Sequence, residues 1–280
     1  MLKRMIQPCK TGILVMSLML SMWSYCIPMA HAGVEMKTLR LDAAATPVEV
    51  FAVYETSFAA QKILLKSLKY SNKLMKKAVG FQGSAVLQGQ DGKHIMMLSQ
   101  WDTAENYQAY QAAGATDAQN SEFAQKSESK KSESKKSSSA NGGSRTPTAV
   151  VQWQLVAAQP SVVGATPAIR GREAVVQFVH FTPNDAAQQA EVLTQVQAMV
   201  PTLLTQQPIP QAIAVLTGTD TPDVALMRNW NCSALFEDVG KPSAIAVDDS
   251  LAALASTEQG IYTVANIIPM EVKEPADEAE

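Results

Sequence analysis

Residues 79–110 read VGFQGSAVLQGQDGKHIMMLSQWDTAENYQAY, and their punctuation decides the fold. A glycine turn, Gly80-Phe81-Gln82-Gly83, feeds a strand predicted over Ser84–Gln88. The loop Gly89-Gln90-Asp91-Gly92 carries an Asp-Gly pair, which favours the left-handed turn of a tight hairpin. A mostly apolar return strand follows from Lys93 to Trp101. Asp102 or Thr103 then caps a helix whose first turn holds Glu105 and Asn106.

Upstream, Pro47–Thr56 (PVEVFAVYET) reads as a strand of β-branched and aromatic residues without clean polar alternation. Val50, Ala52 and Tyr54 share one face; Phe51 and Val53 share the other. Both faces are therefore expected to be buried, one under helices and one against a second sheet. Ala59–Val79 reads as a helix with Leu64, Leu68, Met75 and Val79 near one face, widened by Ile63, Leu65 and Leu74. Its lysines, Lys62, Lys66, Lys69, Lys73, Lys76 and Lys77, read as a solvated face, with an anion site as the alternative. A short strand at Lys37–Leu41 leads in.

The chain then repeats its plan. Glu173–Thr182 reads as a strand, and Asn184 or Asp185 caps a helix of about sixteen residues limited near Pro201, with one more turn left open beyond it. Gln211–Thr217 and Asp223–Trp230 form a second hairpin. At one offset of 129 residues Trp101 falls on Trp230, Gly89 on Gly218, Asp91 on Asp220, Leu87 on Leu216 and Gln100 on Asn229. Ser233–Thr257 reads as a broken helical region and Gly260–Ile268 as the closing strand.

The order of features in residues 79–110 resembles the antibiotic biosynthesis monooxygenase (ABM) family of the dimeric α+β barrel superfamily. The resemblance rests on Gly80-Phe81-Gln82-Gly83, Asp91-Gly92, Gln100-Trp101 and the helix residues Glu105, Tyr107, Ala109 and Tyr110. It implies an α+β fold of two tandem ferredoxin-like domains, packed sheet to sheet as an intrachain pseudo-dimer. In that family a fourth strand follows the second helix, and Thr148–Ala158 fits it. The first domain thus spans 46–158, interrupted by a Ser/Lys/Glu-rich insertion at 120–147 whose composition predicts disorder. Residues 159–170 read as a linker, 171–269 as a more degenerate second domain, and 270–280 as an acidic tail.

The first 32 residues read as a cleavable secretory signal. Lys3, Arg4 and Lys10 precede an apolar run from Gly12 to Trp23, and Ala30-His31-Ala32 is a small-x-small cleavage site. The expected location is periplasmic or extracellular. Removal of that segment takes three of 23 basic residues and no acid, so the remaining charge is 20 against 26, or −6. An acidic chain suits neither nucleic acid nor an anionic membrane surface. One cysteine, Cys232, and two histidines, His94 and His180, would remain; they suit neither an internal disulfide nor a zinc site.

Within the resemblance, Trp101 and Tyr54 are the candidate catalytic residues, at the mouth of a helix-side cleft. Phe81, Tyr107, Gln100, His180 and Trp230 are candidate substrate contacts. A packing role for Trp101 is the competing reading, and its repetition as Trp230 favours it. Haem-degrading relatives use a histidine from the second helix; Thr103–Ala113 holds none, so no haem is expected. The family's quinone-forming oxygenases need neither metal nor flavin, because the substrate's own carbanion meets oxygen. They need a polar group that deprotonates a phenol, for which Tyr54, Gln100 and Glu55 are available. The resemblance thus implies a cofactor-independent monooxygenase acting on a small aromatic or quinol-like molecule. The second reading is a non-catalytic ligand-binding or stress-related module, favoured if Met96 and Met97 fill the pocket. Barrel closure needs no second chain, although a homodimer of the two-domain unit remains compatible.

Overall fold

A computed structural model describes residues 36–45, 47–114, 146–236 and 240–269. The segment read as a secretory signal, most of the Ser/Lys/Glu-rich insertion and the acidic tail lie outside the described residues.

From Lys37 onward the fold is α+β, built on a closed barrel of eight antiparallel strands. Strand β1 (Thr38–Arg40) leads into β2 (Val48–Glu55), helix α1 (Phe58–Met75) and the hairpin β3 (Phe81–Gly89) and β4 (His94–Trp101). Helix α2 (104–114) and β5 (Ala149–Pro160) follow. Then come β6 (Ala168–Arg170), β7 (Val175–Pro183), α3 (Gln189–Thr205), β8 (Ala212–Gly218), β9 (Val224–Trp230), α4 (Asp249–Leu254) and β10 (Ala255–Ile268).

Around the barrel the order is β10-β3-β4-β2-β5-β8-β9-β7. Strands β2 to β5 therefore lie as β5-β2-β4-β3, and β7 to β10 lie as β10-β7-β9-β8. The registers correspond as well. Val48 pairs with Trp101 as Val175 pairs with Trp230. Trp153 faces Gly218 across one closing seam, and Tyr262 faces Gly89 across the other. Each seam carries one register shift, between Leu155 and Ala157 and between Val264 and Asn266.

Alternation explains why the strands look apolar on both faces. Phe51, Met96, Leu98, Trp153, Phe178 and Met227 turn into the barrel and are buried there. Val50, Ala52, Tyr54, Ile95 and Met97 turn outward and are buried under α1, through Leu64, Leu68 and Met75. In the second half α3 covers the wall through Val192, Val196, Val200 and Leu203, spaced three or four apart along one helical face. The outer face of β5 stays open: Val150 and Val156 are exposed.

Four expectations change. Helix α1 stops at Met75, ahead of the left-handed Gly80 (φ +78°), so Val79 is exposed, as is Ile63 within the helix. Helix α3 takes the further turn past Pro201 that the sequence left open, ending at Thr205. The helical reading of 233–257 survives only as a 3-10 turn, Ser233–Phe236, and the six residues of α4. Strand β10 begins at Ala255, because Ala255–Gly260 pairs with Phe178–Pro183, and that pairing overrides the helix propensity of an alanine-rich run. The stretch read as a linker carries structure too. Gln159 and Pro160 continue β5 against Ile213 and Ala212, and β6 pairs with β1.

That β1–β6 ribbon sits over the end of the barrel where β4 and β9 finish. Leu39, Leu41 and Ile169 join the interior core. Gly83 admits it: a Cβ there would lie 2.7 Å from Leu39 Cδ1. Gln100 Nε2 donates to the Arg40 carbonyl (2.7 Å) and Asn229 Nδ2 to the Ala168 carbonyl (2.9 Å). Arg40 and Ala168 are partners in one rung, so two side chains from corresponding strand positions hold the ribbon.

Candidate functional site

The helix-side face of the first half gathers four of the expected residues. Trp101, fully buried at the end of β4, meets Phe81 edge-on at 5.6 Å, Tyr107 at 5.5 Å and Tyr110 at 5.2 Å between ring centroids. These pairs form because β3 and α2 flank the end of β4. Thr103 fixes α2 by accepting the Asn106 N–H at its hydroxyl (3.2 Å). The Trp101 indole N–H donates to Ser99 Oγ at 3.0 Å, two residues back on the same face.

Tyr54 belongs to the same cluster. Burial, followed by the neighbouring Tyr107 and Tyr110, pushes its phenol up to about 12. Tyr54 therefore stays protonated at neutral pH. Burial also raises Tyr107, whose oxygen accepts from Gln111 Nε2 at 2.6 Å. Met97 and Met75 pack in this layer; Met96 lies on the opposite face, in the barrel interior.

The other candidates are elsewhere. Gln100 points into the barrel and donates to Glu49 Oε1 at 2.8 Å as well as to the ribbon. Glu55 is exposed at the end of β2. His180 also faces the barrel interior, at the end away from the ribbon, with Nε2 3.3 Å from Asp223 Oδ2. Trp230 has its own surroundings. The Arg228 guanidinium stacks over its ring at 5.1 Å, Phe236 meets it edge-on at 5.1 Å, and its N–H donates to the Pro208 carbonyl at 2.8 Å.

Sequence reasoning missed three buried polar groups. Glu49 is 1 % exposed. Burial raises its carboxyl to about 8, against the opposing pull of the Gln100 hydrogen bond. Arg228 is bonded to Gln177, Gln206 and the Ser243 carbonyl, and burial lowers it to about 10, still protonated at neutral pH. Asp223 is the third. A charged residue in an otherwise apolar strand was the available signal for Glu49 and Arg228. Among the described residues no cluster of three His, Cys, Asp or Glu side chains suits a metal ion. No helix among them is long and apolar enough to cross a membrane.

No protein-family model matches the sequence, and neither does any curated protein. Solved structures do match. An anthrone oxidase-like protein aligns over 85 % of this chain and 99 % of its own, at 16 % identity and a TM-score of 0.54. A candidate monooxygenase from Fusobacterium nucleatum subsp. nucleatum aligns over 80 % of this chain and 94 % of its own, at 9 % identity and a TM-score of 0.50. The chain shares their fold, an α+β barrel.

Proposed function

We propose that this chain is an exported member of the ABM family, cleaved after Ala32, and that it is a cofactor-independent monooxygenase acting on a small aromatic or quinol-like molecule. Its two ABM-like domains, 46–158 and 171–269, are tandem repeats that close one barrel within the chain. Matching strand orders, matching cross-strand registers and the paired seam irregularities support the repeat. So does a single neighbouring chain that aligns over 85 % of this one, more than either half supplies.

The observation that carries the functional reading is the aromatic and phenolic cluster on the helix side of the first half. Trp101, Phe81, Tyr107 and Tyr110 offer flat walls to a planar ring. Tyr54, protonated, donates to the substrate oxygen on which negative charge grows as the ring loses its proton. The fold neighbour that is anthrone oxidase-like points to the same substrate class.

One observation favours the second reading, a ligand-binding module without chemistry. Leu64, Leu68, Met75 and Met97 occupy the layer beside Trp101. Oxygen uptake by the purified chain from Gly33 onward, against phenols, anthrones and quinols without added metal or flavin, separates the two. Uptake that disappears in Trp101→Phe or Tyr54→Phe, with folding intact, supports the oxygenase; no uptake across the panel leaves the binding module.

A further inference from the structure

The barrel has two unlike ends. The ribbon covers one. At the other, β7 and β10 place His180 and Glu258 where the first half has Val53 and Ala149. His180 on β7 is about a quarter exposed, and its ring stands edge-on to Trp153 at 5.6 Å between centroids. Its Nε2 lies 3.3 Å from Asp223 Oδ2, the separation of an ion pair rather than of an aligned hydrogen bond. Its Nδ1 has no hydrogen bond among the described residues. Asp223 is held in place by the β8–β9 loop: Gly218 N donates to the Asp223 carbonyl (2.8 Å) and Thr219 N to the Gln152 carbonyl (3.0 Å). The floor is aromatic, with Phe178 beside His180 at 6.4 Å and Tyr262 leaning over Gly260. The Trp153 indole N–H, on a residue 1 % exposed, has no partner among the described residues, and neither has Thr221 Oγ1 in the β8–β9 loop.

We propose that this mouth binds a small neutral aromatic molecule through one hydroxyl group, which accepts from the Trp153 N–H and donates to His180 Nδ1. No covalent bond breaks: the ligand stays neutral, and Asp223 Oδ2 faces the other ring nitrogen, Nε2, at 3.3 Å. The surrounding charges select the incoming form. Glu258 is the register partner of His180, Glu55 that of His94, and Asp91 is bonded to His94. Asp91 and Glu258 reach Tyr262 as well, since both, after burial itself, push its phenol up to about 12. Carboxylates around the rim repel a ligand that arrives as an anion. With only His, Asp and Glu at hand and no trio of them in ligating geometry among the described residues, a metal ion is not the occupant the geometry favours.

The mouth lies across the sheet from the Trp101 cluster and does not rest on the oxygenase reading. Binding without oxygen uptake would sink that reading and leave this one standing.

The test is calorimetric titration of the purified chain with 2-naphthol, 2-naphthoate and the cation N-methylquinolinium. The mouth binds 2-naphthol, excludes 2-naphthoate, and loses at least tenfold in affinity for 2-naphthol in both His180→Gln and Asp223→Asn, with circular dichroism unchanged. His180 is partly exposed, so the glutamine variant is expected to fold; Asp223→Asn supplies the independent check. Absence of 2-naphthol binding overturns the proposal. So does unchanged affinity in His180→Gln, a loss produced by Tyr54→Phe instead, or a preference for N-methylquinolinium.

Discussion

Trp101 and Trp230 end corresponding strands, and both are buried, yet the two halves have filled the space around them differently. Beside Trp101 stand Ser99, two tyrosines and a helix, α2. Beside Trp230 stands Arg228, in the place of Ser99, with Gln177 and Gln206 completing a network and a 3-10 turn in place of the helix. The same β scaffold thus carries an aromatic layer in one half and a buried cation in the other. The first arrangement is the one proposed to receive a planar ring. The second is already satisfied by its own side chains, and we assign it to stability.

Truncation of each partner should expose that contrast most sharply. Arg228→Ala is expected to cost about 3–5 kcal/mol, combining lost charged hydrogen bonds with the cavity left behind. Ser99→Ala, at the corresponding position, should cost about 1–2 kcal/mol, for the one indole N–H left without an acceptor. Urea unfolding of both variants measures the difference; equal costs would mean that the Arg228 network is peripheral.

Glu49 gives the next largest effect and also distinguishes the halves, since Val176 occupies its place in the second. Its folded-state carboxyl, near 8, lies above the ordinary glutamate value of 4.5. The unfolded chain therefore releases this proton first as pH rises. Glu49's contribution to stability is fully present below about 4.5 and is lost as pH rises through about 8. Subtracting the stability of Glu49→Gln from that of the wild type at each pH isolates the effect. The difference should turn against the wild type across that window, and a flat difference would show that the carboxyl is not held neutral.

The ribbon clamps come third. Gln100→Leu and Asn229→Leu should each cost about 1–2 kcal/mol. Faster amide exchange should be confined to the rungs at 38–40 and 168–170, because those carbonyls lose their donors. Smallest is Thr103→Ala at the cap of α2, about 1 kcal/mol by thermal unfolding.

Much of the scaffold was legible because local chemistry and tertiary pairing agree. The Asp91-Gly92 turn, the Thr103 cap and the two-sided apolar strand Val48–Glu55 each read the same way at both levels. The matching hairpins of the two halves were visible because β4 and β9 keep one spacing from their turns. Legibility failed where pairing partners were distant. Nothing near Ala255 announces that β7 will draw it into a strand, and nothing near Ala168 announces a partner at Arg40. Site residues were harder still. Trp101, Tyr54, Phe81 and Tyr107 do converge, since strand parity and helix position bring them to one face. Gln100 has the opposite parity from Trp101, so it could not share that pocket, and His180 faces the interior for the same reason.

The claim that one half is built for a ligand and the other for stability is tested most directly by comparing Trp101→Phe with Trp230→Phe. Oxygen uptake on the best substrate of the phenol, anthrone and quinol panel would be measured for both, at equal folded concentration. The account predicts that uptake is lost in Trp101→Phe and kept in Trp230→Phe. Uptake kept in Trp101→Phe, or lost equally in the two, would contradict it.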